Sequence, residues 1–193
     1  NVHYAGYEIA SRFDLLESAM ADLPPGVAQR LEPTEVADDV IQRVHPPGYL
    51  QALEAACLQG PAYVDMAPTY VTQASMGAAR RAVGGTLAVL DHVLAGESRT
   101  GFALVRPPGH HATATRAMGF CLLNNIAIAA RHAQDSGRQR VMIVDFDVHH
   151  GNGTQDIFES SGDVLYISTH QYGIYPGSGA MTDVGSGAGA GLT

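Results

Sequence analysis

Cysteine is scarce in this chain: Cys57 and Cys121 are the only two among 193 residues. Two cysteines make no disulfide framework, so a reducing intracellular compartment is expected. Basic residues are also few. Eleven Lys and Arg against nineteen Asp and Glu give a formal net charge of −8, which argues against a direct nucleic-acid binder and is compatible with a cationic substrate. No apolar run approaches membrane-spanning length, and no basic-then-apolar leader opens the chain. A cytoplasmic protein with no membrane partner is therefore expected. There is no internal repeat and no interdomain linker. An apolar fraction of 46% with 16% charged residues is that of one soluble globular domain.

What the chain does have is concentrated in VMIVDFDVHHGNG, residues 141–153. The apolar, β-branched opening predicts a strand buried on both faces. The chemistry then changes abruptly to Asp145, Asp147, His149 and His150. Alternate side chains of a strand share a face, so Asp145, Asp147 and His149 can point the same way. Gly151 and Gly153 allow the chain to turn there. An Asp-x-His at a strand's carboxyl end offers one hard oxygen and one imidazole nitrogen, a two-point grip for zinc. Taken alone, the same residues could be an ordinary solvated strand end.

Along the chain, the spacing predicts helices over 11–23, 35–44 (with Thr34 as its cap), 48–58, 71–94 and 124–133, and a short one over 153–159. Residues 61–68 read as a loop. GFALV (101–105) and VLYIS (164–168) read as buried strands. GSGAGAG (185–191) reads as a loop or frayed end. Strand, helix, strand, helix, strand is the pattern of right-handed βαβ units. The first of these strands leads into RPPGHH, a stiff turn carrying His110 and His111. If the strands are neighbours, His110, His111, Asp145, Asp147 and His149 share one crevice. Such a set suits metal-assisted hydrolysis: a Lewis acid for water and carbonyl, imidazoles for proton transfer, and carboxylates behind the imidazoles.

RPPGHHA at 106–112, GFC at 119–121, Asn124-Asn125, and DFDVHHGNGT at 145–154 resemble, in order, the signature of the histone deacetylase superfamily. The match is specific from about residue 101 to 179. RPPGHH and HHGNGTQ look closest to the class II and bacterial amidohydrolase branches. The opening Tyr7-Glu8 to Arg12 has an acetylpolyamine-amidohydrolase flavour. The resemblance implies a single α/β domain over 1–193, three-layered α/β/α with a mainly parallel sheet. Residues 1–100 would be mainly helical and 101–193 would carry the βα units of the site.

It also implies roles. Asp147 and His149 would be two of three ligands of a Zn2+ (Fe2+ being the alternative in vivo). His110 and His111 would flank the attacking water, with His111 as general base and acid. Asp145 would orient His110. Asn152 would stand behind His111, where some relatives have Asp, leaving His111 less basic. The Gly119 carbonyl would accept the substrate amide hydrogen, and Phe120 and Tyr175 would wall an acyl-lysine channel. Asp145, Asp147, His149, Ser168 and Thr169 resemble one structural K+ site, and Phe158, Ser161 and Val164 part of a second. Asp65 lies roughly where relatives carry a rim carboxylate. His3, His45, His92, His132 and His170 read as ordinary surface or satisfied histidines, and Cys121 as a small buried packing residue.

The family's third zinc ligand and its oxyanion-stabilising Tyr or His have no counterpart before Thr193, and Asp183 matches neither. The chain is therefore expected to be a piece cut at both ends and lacking its C-terminal part, and this piece alone is expected to be inactive. The implied activity of the intact protein is zinc-dependent hydrolysis of an N-acetyl amide on lysine or a polyamine, releasing acetate. The alternative is a degraded relative that binds acyl-lysine or a partner without turnover. Oligomeric state is not legible.

Overall fold

The computed structural model describes residues 11–193 apart from Ala67 and Pro68. The readings of His3 and of Tyr7-Glu8 fall outside these residues. Contacts divide the chain into two units, Asn1–Glu32 and Pro33–Thr193. The first holds helix α1 (Ser11–Ala21), ended before the Pro24-Pro25-Gly26 turn.

The second unit opens with α2 (Asp38–Gln42) and α3 (Pro47–Gln59). Pro47 sits in the first turn of α3, where a missing N–H costs nothing. Leu50, Leu53 and Cys57 recur at helical spacing and are all buried. Strands β1 (Ala62–Asp65) and β2 (Thr69–Val71) form a small antiparallel hairpin. Helix α4 (Ser75–Leu94) buries Met76, Ala79, Val83 and Leu87 along one stripe. Helix α5 (Asn125–Asp135) is capped by Asn124, whose Oδ1 accepts the Ala127 N–H at 3.1 Å. Strand β3 (Val141–Asp145), helix α6 (Asn152–Phe158) and strand β4 (Val164–Ser168) complete one βαβ unit. Its strands pair in parallel from Val141↔Val164 to Asp145↔Ser168. The core lies between α3, α4, α5 and the inner face of β3 and β4, with Ile41, Leu123, Ile128 and Phe158 fully buried.

Several local expectations need correction. Thr34 caps no helix; its Oγ1 donates to the Gly84 carbonyl at 3.2 Å, and α2 starts only at Asp38. Gly84 is what admits this: a Cβ there would run into the Thr34 backbone. Residues 62–65 are a strand rather than a loop, because Ala62 and Tyr63 find partners in Val71 and Tyr70. That pairing takes Val71 out of α4, which begins at Ser75, whose Oγ accepts the Thr72 N–H at 2.9 Å. GFALV forms no strand: among the described residues no backbone ladder reaches 101–105, and Phe102 is 68% exposed. An apolar run becomes a strand only when a neighbour supplies its hydrogen bonds.

β3 and β4 are not buried on both faces. Ile143, Val164 and Tyr166 are inside, while Met142, Val144 and Ile167 are 63%, 50% and 40% exposed. Residues 185–191 are tied down rather than frayed: Ser186 N donates to Glu159 O at 2.8 Å, Gly189 is buried in a 3₁₀ turn, and Leu192 O accepts the Tyr166 N–H at 2.7 Å.

Candidate active site

The turn that carries the tandem histidines is held from behind by two helix starts. Asn124, the cap of α5, sends its side-chain amide to the Ala112 carbonyl at 2.9 Å. Asn125 donates to the Pro107 carbonyl at 3.1 Å, and Thr154 of α6 donates its backbone N–H to His110 O at 3.1 Å. His45, fully buried between α2 and α3, reinforces this wall. Its Nε2 accepts the Asn124 N–H at 2.9 Å, its Nδ1 donates to Ala114 O at 3.0 Å, and its ring stacks on Tyr49. Burial lowers its pKa to about 4, so it stays neutral. It is thus a satisfied histidine, as are His92 against Glu97 and His132 against Asp91.

The rings of His110 and His111 lie 4.0 Å apart. His110 Nδ1 is 3.0 Å from Asp145 Oδ2, and His111 Nδ1 is 2.9 Å from Asn152 Oδ1. Each imidazole thus has its own oxygen partner, one charged and one neutral. With Nδ1–H donated to Asn152, His111 keeps its Nε2 lone pair free for another proton. Burial, and then the neighbouring His110, lower the His111 pKa to about 4. Burial by itself would raise the Asp145 pKa, but the hydrogen bond and charge of His110, with the Asp147 N–H and the Tyr166 hydroxyl, hold it below the usual range.

β3 ends at Asp145, so Asp147 and His149 sit on the loop beyond it. Asp147 Oδ1 accepts the His149 N–H at 2.8 Å and lies 3.1 Å from His149 Nδ1. A carboxylate oxygen and an imidazole nitrogen this close can share one cation. Among the described residues no third His, Cys, Asp or Glu joins them. The described donors therefore fit zinc in kind, but supply two where catalytic sites use about three. The His149 ring is 6.0 Å from that of His111.

The Gly119-Phe120 turn closes one side. Both residues have left-handed backbones, φ +56° and +68°. Phe120 N donates to Thr69 Oγ1 at 3.0 Å, and Gly119 N to Asp65 Oδ2 at 3.4 Å. A Cβ on Gly119 would strike the His111 ring and lie 2.9 Å from the Tyr175 hydroxyl. Tyr175 stands edge-on to His111 at 5.0 Å, and its hydroxyl is buried with no partner among the described residues. Burial, then the charges of Asp65 and Cys121, push its pKa up to about 12. Asp65 is turned inward, its side chain 4% exposed and held by Arg116. Cys121 is buried as expected; its S–H points at Gly119 O, 3.4 Å away, and its sulfur accepts the His111 N–H.

In the two potassium-like sets, Asp145 O accepts the Thr169 N–H at 2.9 Å, Ser168 Oγ is 2.8 Å from His170 Nδ1, and Phe158 O accepts the Ser161 N–H at 2.8 Å. Val164 is fully buried at the start of β4.

Two partners escaped the sequence reading: Thr69, and Tyr166, whose hydroxyl reaches Asp145. His170 is satisfied as expected, and its ring lies tilted against that of His150 at 4.7 Å. His150 is bonded to Ser178 and Gln155, and His170 to Gly179. Tyr166 carried a usable signal. A Tyr on the inner face of a strand must find a partner for its hydroxyl.

The Histone deacetylase domain family matches residues 7–193 of this chain. The chain belongs to the histone deacetylase family. It is 44% identical over 164 residues to Histone deacetylase 14, chloroplastic, of Arabidopsis thaliana, covering 79% of this chain and 39% of that protein. It is 42% identical over 170 residues to a probable deacetylase of Methanothermobacter thermautotrophicus, covering 86% and 50%. The crystal structure of the HDA15 HD domain superposes with a TM-score of 0.87 at 42% identity, covering 94% of this chain and 51% of that one. The expected α/β deacetylase fold is therefore the observed one, and the chain spans about half or less of the length of these relatives. Among the described residues no helix is long and apolar enough to cross a membrane. The plant relative's name places that protein in the chloroplast, so family membership does not carry a cytoplasmic location to this chain.

Proposed function

We propose that the full-length protein hydrolyses N-acetyl amides of lysine side chains or of small polyamines and releases acetate. The observation that carries this reading is the convergence of two differently backed imidazoles, His110–Asp145 and His111–Asn152, beside the Asp147–His149 pair. Asp147 and His149 would hold a Zn2+, which supplies Lewis acidity toward water and carbonyl when bound. His111, neutral and with Nε2 free, takes a proton from the attacking water and returns it to the leaving amine. His110, backed by the Asp145 carboxylate, offers a second donor beside it. The Gly119 carbonyl accepts the substrate N–H, and Phe120 and Tyr175 flank the acyl chain. The K+ sets are proposed as structural supports of the same loops.

The test is the protein expressed to its natural end and assayed with acetyl-lysine peptides and with N-acetylputrescine, measuring acetate and bound metal. Turnover that follows zinc loading supports the reading. Binding of acetylated ligands with no acetate release replaces it with that of an inactive acyl-lysine binder, the outcome favoured if the two described metal donors have no third.

A further inference from the structure

Tyr166 has no role in the chemistry above, yet it is buried on the inner face of β4. The strand register sets it beside Ile143, one step below Asp145 on the same face of the sheet. Its hydroxyl is 2.9 Å from Asp145 Oδ2 and 3.1 Å from the Gly151 carbonyl. Asp145 Oδ2 is also the oxygen that faces His110 Nδ1 at 3.0 Å, while Asp145 Oδ1 accepts the Asp147 N–H at 3.2 Å. The carboxylate thus has three donors from three parts of the chain: the tandem-histidine turn, the loop after β3, and β4.

A carboxylate's terminal torsion is soft, so its plane is set by its hydrogen bonds. The remaining side is closed by backbone: a Cβ on Gly151 would collide with Asp145 Oδ2 and with the Tyr166 hydroxyl. Gly151 is the residue before α6, whose first residue is Asn152, the partner of His111.

We propose that Tyr166 is a positioning residue for the two histidines. Its hydroxyl fixes the plane of the Asp145 carboxylate, and through it the His110 imidazole. The same O–H, shared with the Gly151 carbonyl, ties that carboxylate to the backbone from which Asn152 reaches His111. One phenol therefore couples the orientations of both imidazoles. This inference rests on the hydrolase reading above.

The experiment uses zinc-loaded full-length protein as wild type, Y166F, D145N and the double variant. Y166F removes one hydroxyl and little volume. It is expected to lower kcat about tenfold, the scale of one lost hydrogen bond, with KM, zinc content and circular dichroism unchanged. In the D145N background the same change is expected to cost less than about twofold, because Tyr166 acts through that carboxylate. Equal losses in the two backgrounds overturn the proposal, as does an unchanged kcat or a loss confined to KM.

If Y166F does not fold, 3-fluorotyrosine at 166 keeps shape and hydroxyl while making a stronger donor that competes with His110 for Oδ2. A severalfold fall in kcat at constant KM is then expected, and an unchanged kcat overturns the proposal. A wild type that releases no acetate is the failure of the hydrolase reading alone. In that case the downfield proton resonance of His110 Nδ1–H decides. It shifts in the variant at position 166 if Tyr166 positions the pair, and an unmoved resonance overturns the idea.

Discussion

His45 offers a sharp test of how the site is supported. It is fully buried, bridges Asn124 and Ala114, and has its pKa lowered from 6.5 to about 4 by burial. The unfolded chain therefore binds a proton that the native state refuses. The sign follows: stability from this residue is complete above about pH 6.5 and is lost as pH falls toward about 4, below which both states are protonated. The gap is about 2.5 units, or about 3 kcal/mol, most of which is spent by pH 4.5.

Replacing His45 with Gln removes the titration. It also leaves the Asn124 N–H and Ala114 O less well matched, at a cost of about 1–3 kcal/mol at pH 7.5. Urea unfolding of wild type and H45Q at pH 7.5 and 4.5 gives four stabilities. Other titrating groups, His111 and His150 included, cancel in the double difference. The expected result is that the gap between the two proteins shrinks by about 2–3 kcal/mol on acidification, and can reverse. Parallel pH dependences, within about 0.5 kcal/mol, would mean that His45 is not held neutral by its burial and that the reasoning is wrong.

Other outcomes follow from the same geometry. D147A or H149A in the full-length protein should remove most bound zinc and all deacetylation, because the pair is 3.1 Å apart and no other described donor joins it; metal analysis of the purified variants checks this, and full occupancy in both refutes the assignment. H111A should keep its zinc but lose about a hundredfold or more in turnover on acetyl-lysine, the usual scale for a lost general acid–base. N152D should raise the basicity of His111 and move the acidic limb of the pH–rate profile upward, since a carboxylate at 2.9 Å favours the protonated ring. G151A should abolish turnover and lower Tm, because its Cβ lands on Asp145 and Tyr166. Residues 1–193 expressed alone should show no deacetylation and should self-associate, since Met142, Val144 and Ile167 leave the outer face of the sheet apolar; light scattering and acetate release test this.

Local patterns carried much of this protein. The stripe Met76, Ala79, Val83, Leu87 announced α4, and the β-branched runs at 141 and 164 announced their strands, because period and composition act over a few residues. That His110 and Asp145 share one crevice was legible from two strand-end clusters, although GFALV forms no strand; that Asp145 is the partner of His110 in particular came from the resemblance, since no spacing rule brings residues 35 positions apart within 3.0 Å. GFALV misled because strand formation depends on a partner elsewhere. The β1–β2 hairpin was hidden by Pro61 and Pro68, which precede its two short strands and read as loop punctuation, while the pair itself forms by joining Tyr63 with Tyr70. Tyr166 was missed because its inner-face position reads as core, and only coordinates show where a phenol's far end stops.

The left-handed backbone at Phe120 bears on how this enzyme family member could change. An L-residue at φ +68° stores about 1–2 kcal/mol that glycine would not; its own N–H bond to Thr69 Oγ1, and that of the neighbouring Gly119 to Asp65, hold the turn there. F120G should therefore raise Tm, read by thermal unfolding, and would widen the acyl channel proposed above. With Phe120 as the acyl-channel wall proposed above, selectivity and thermal robustness would pull in opposite directions at this one position, and a search for heat-resistant variants would tend to erode the wall first.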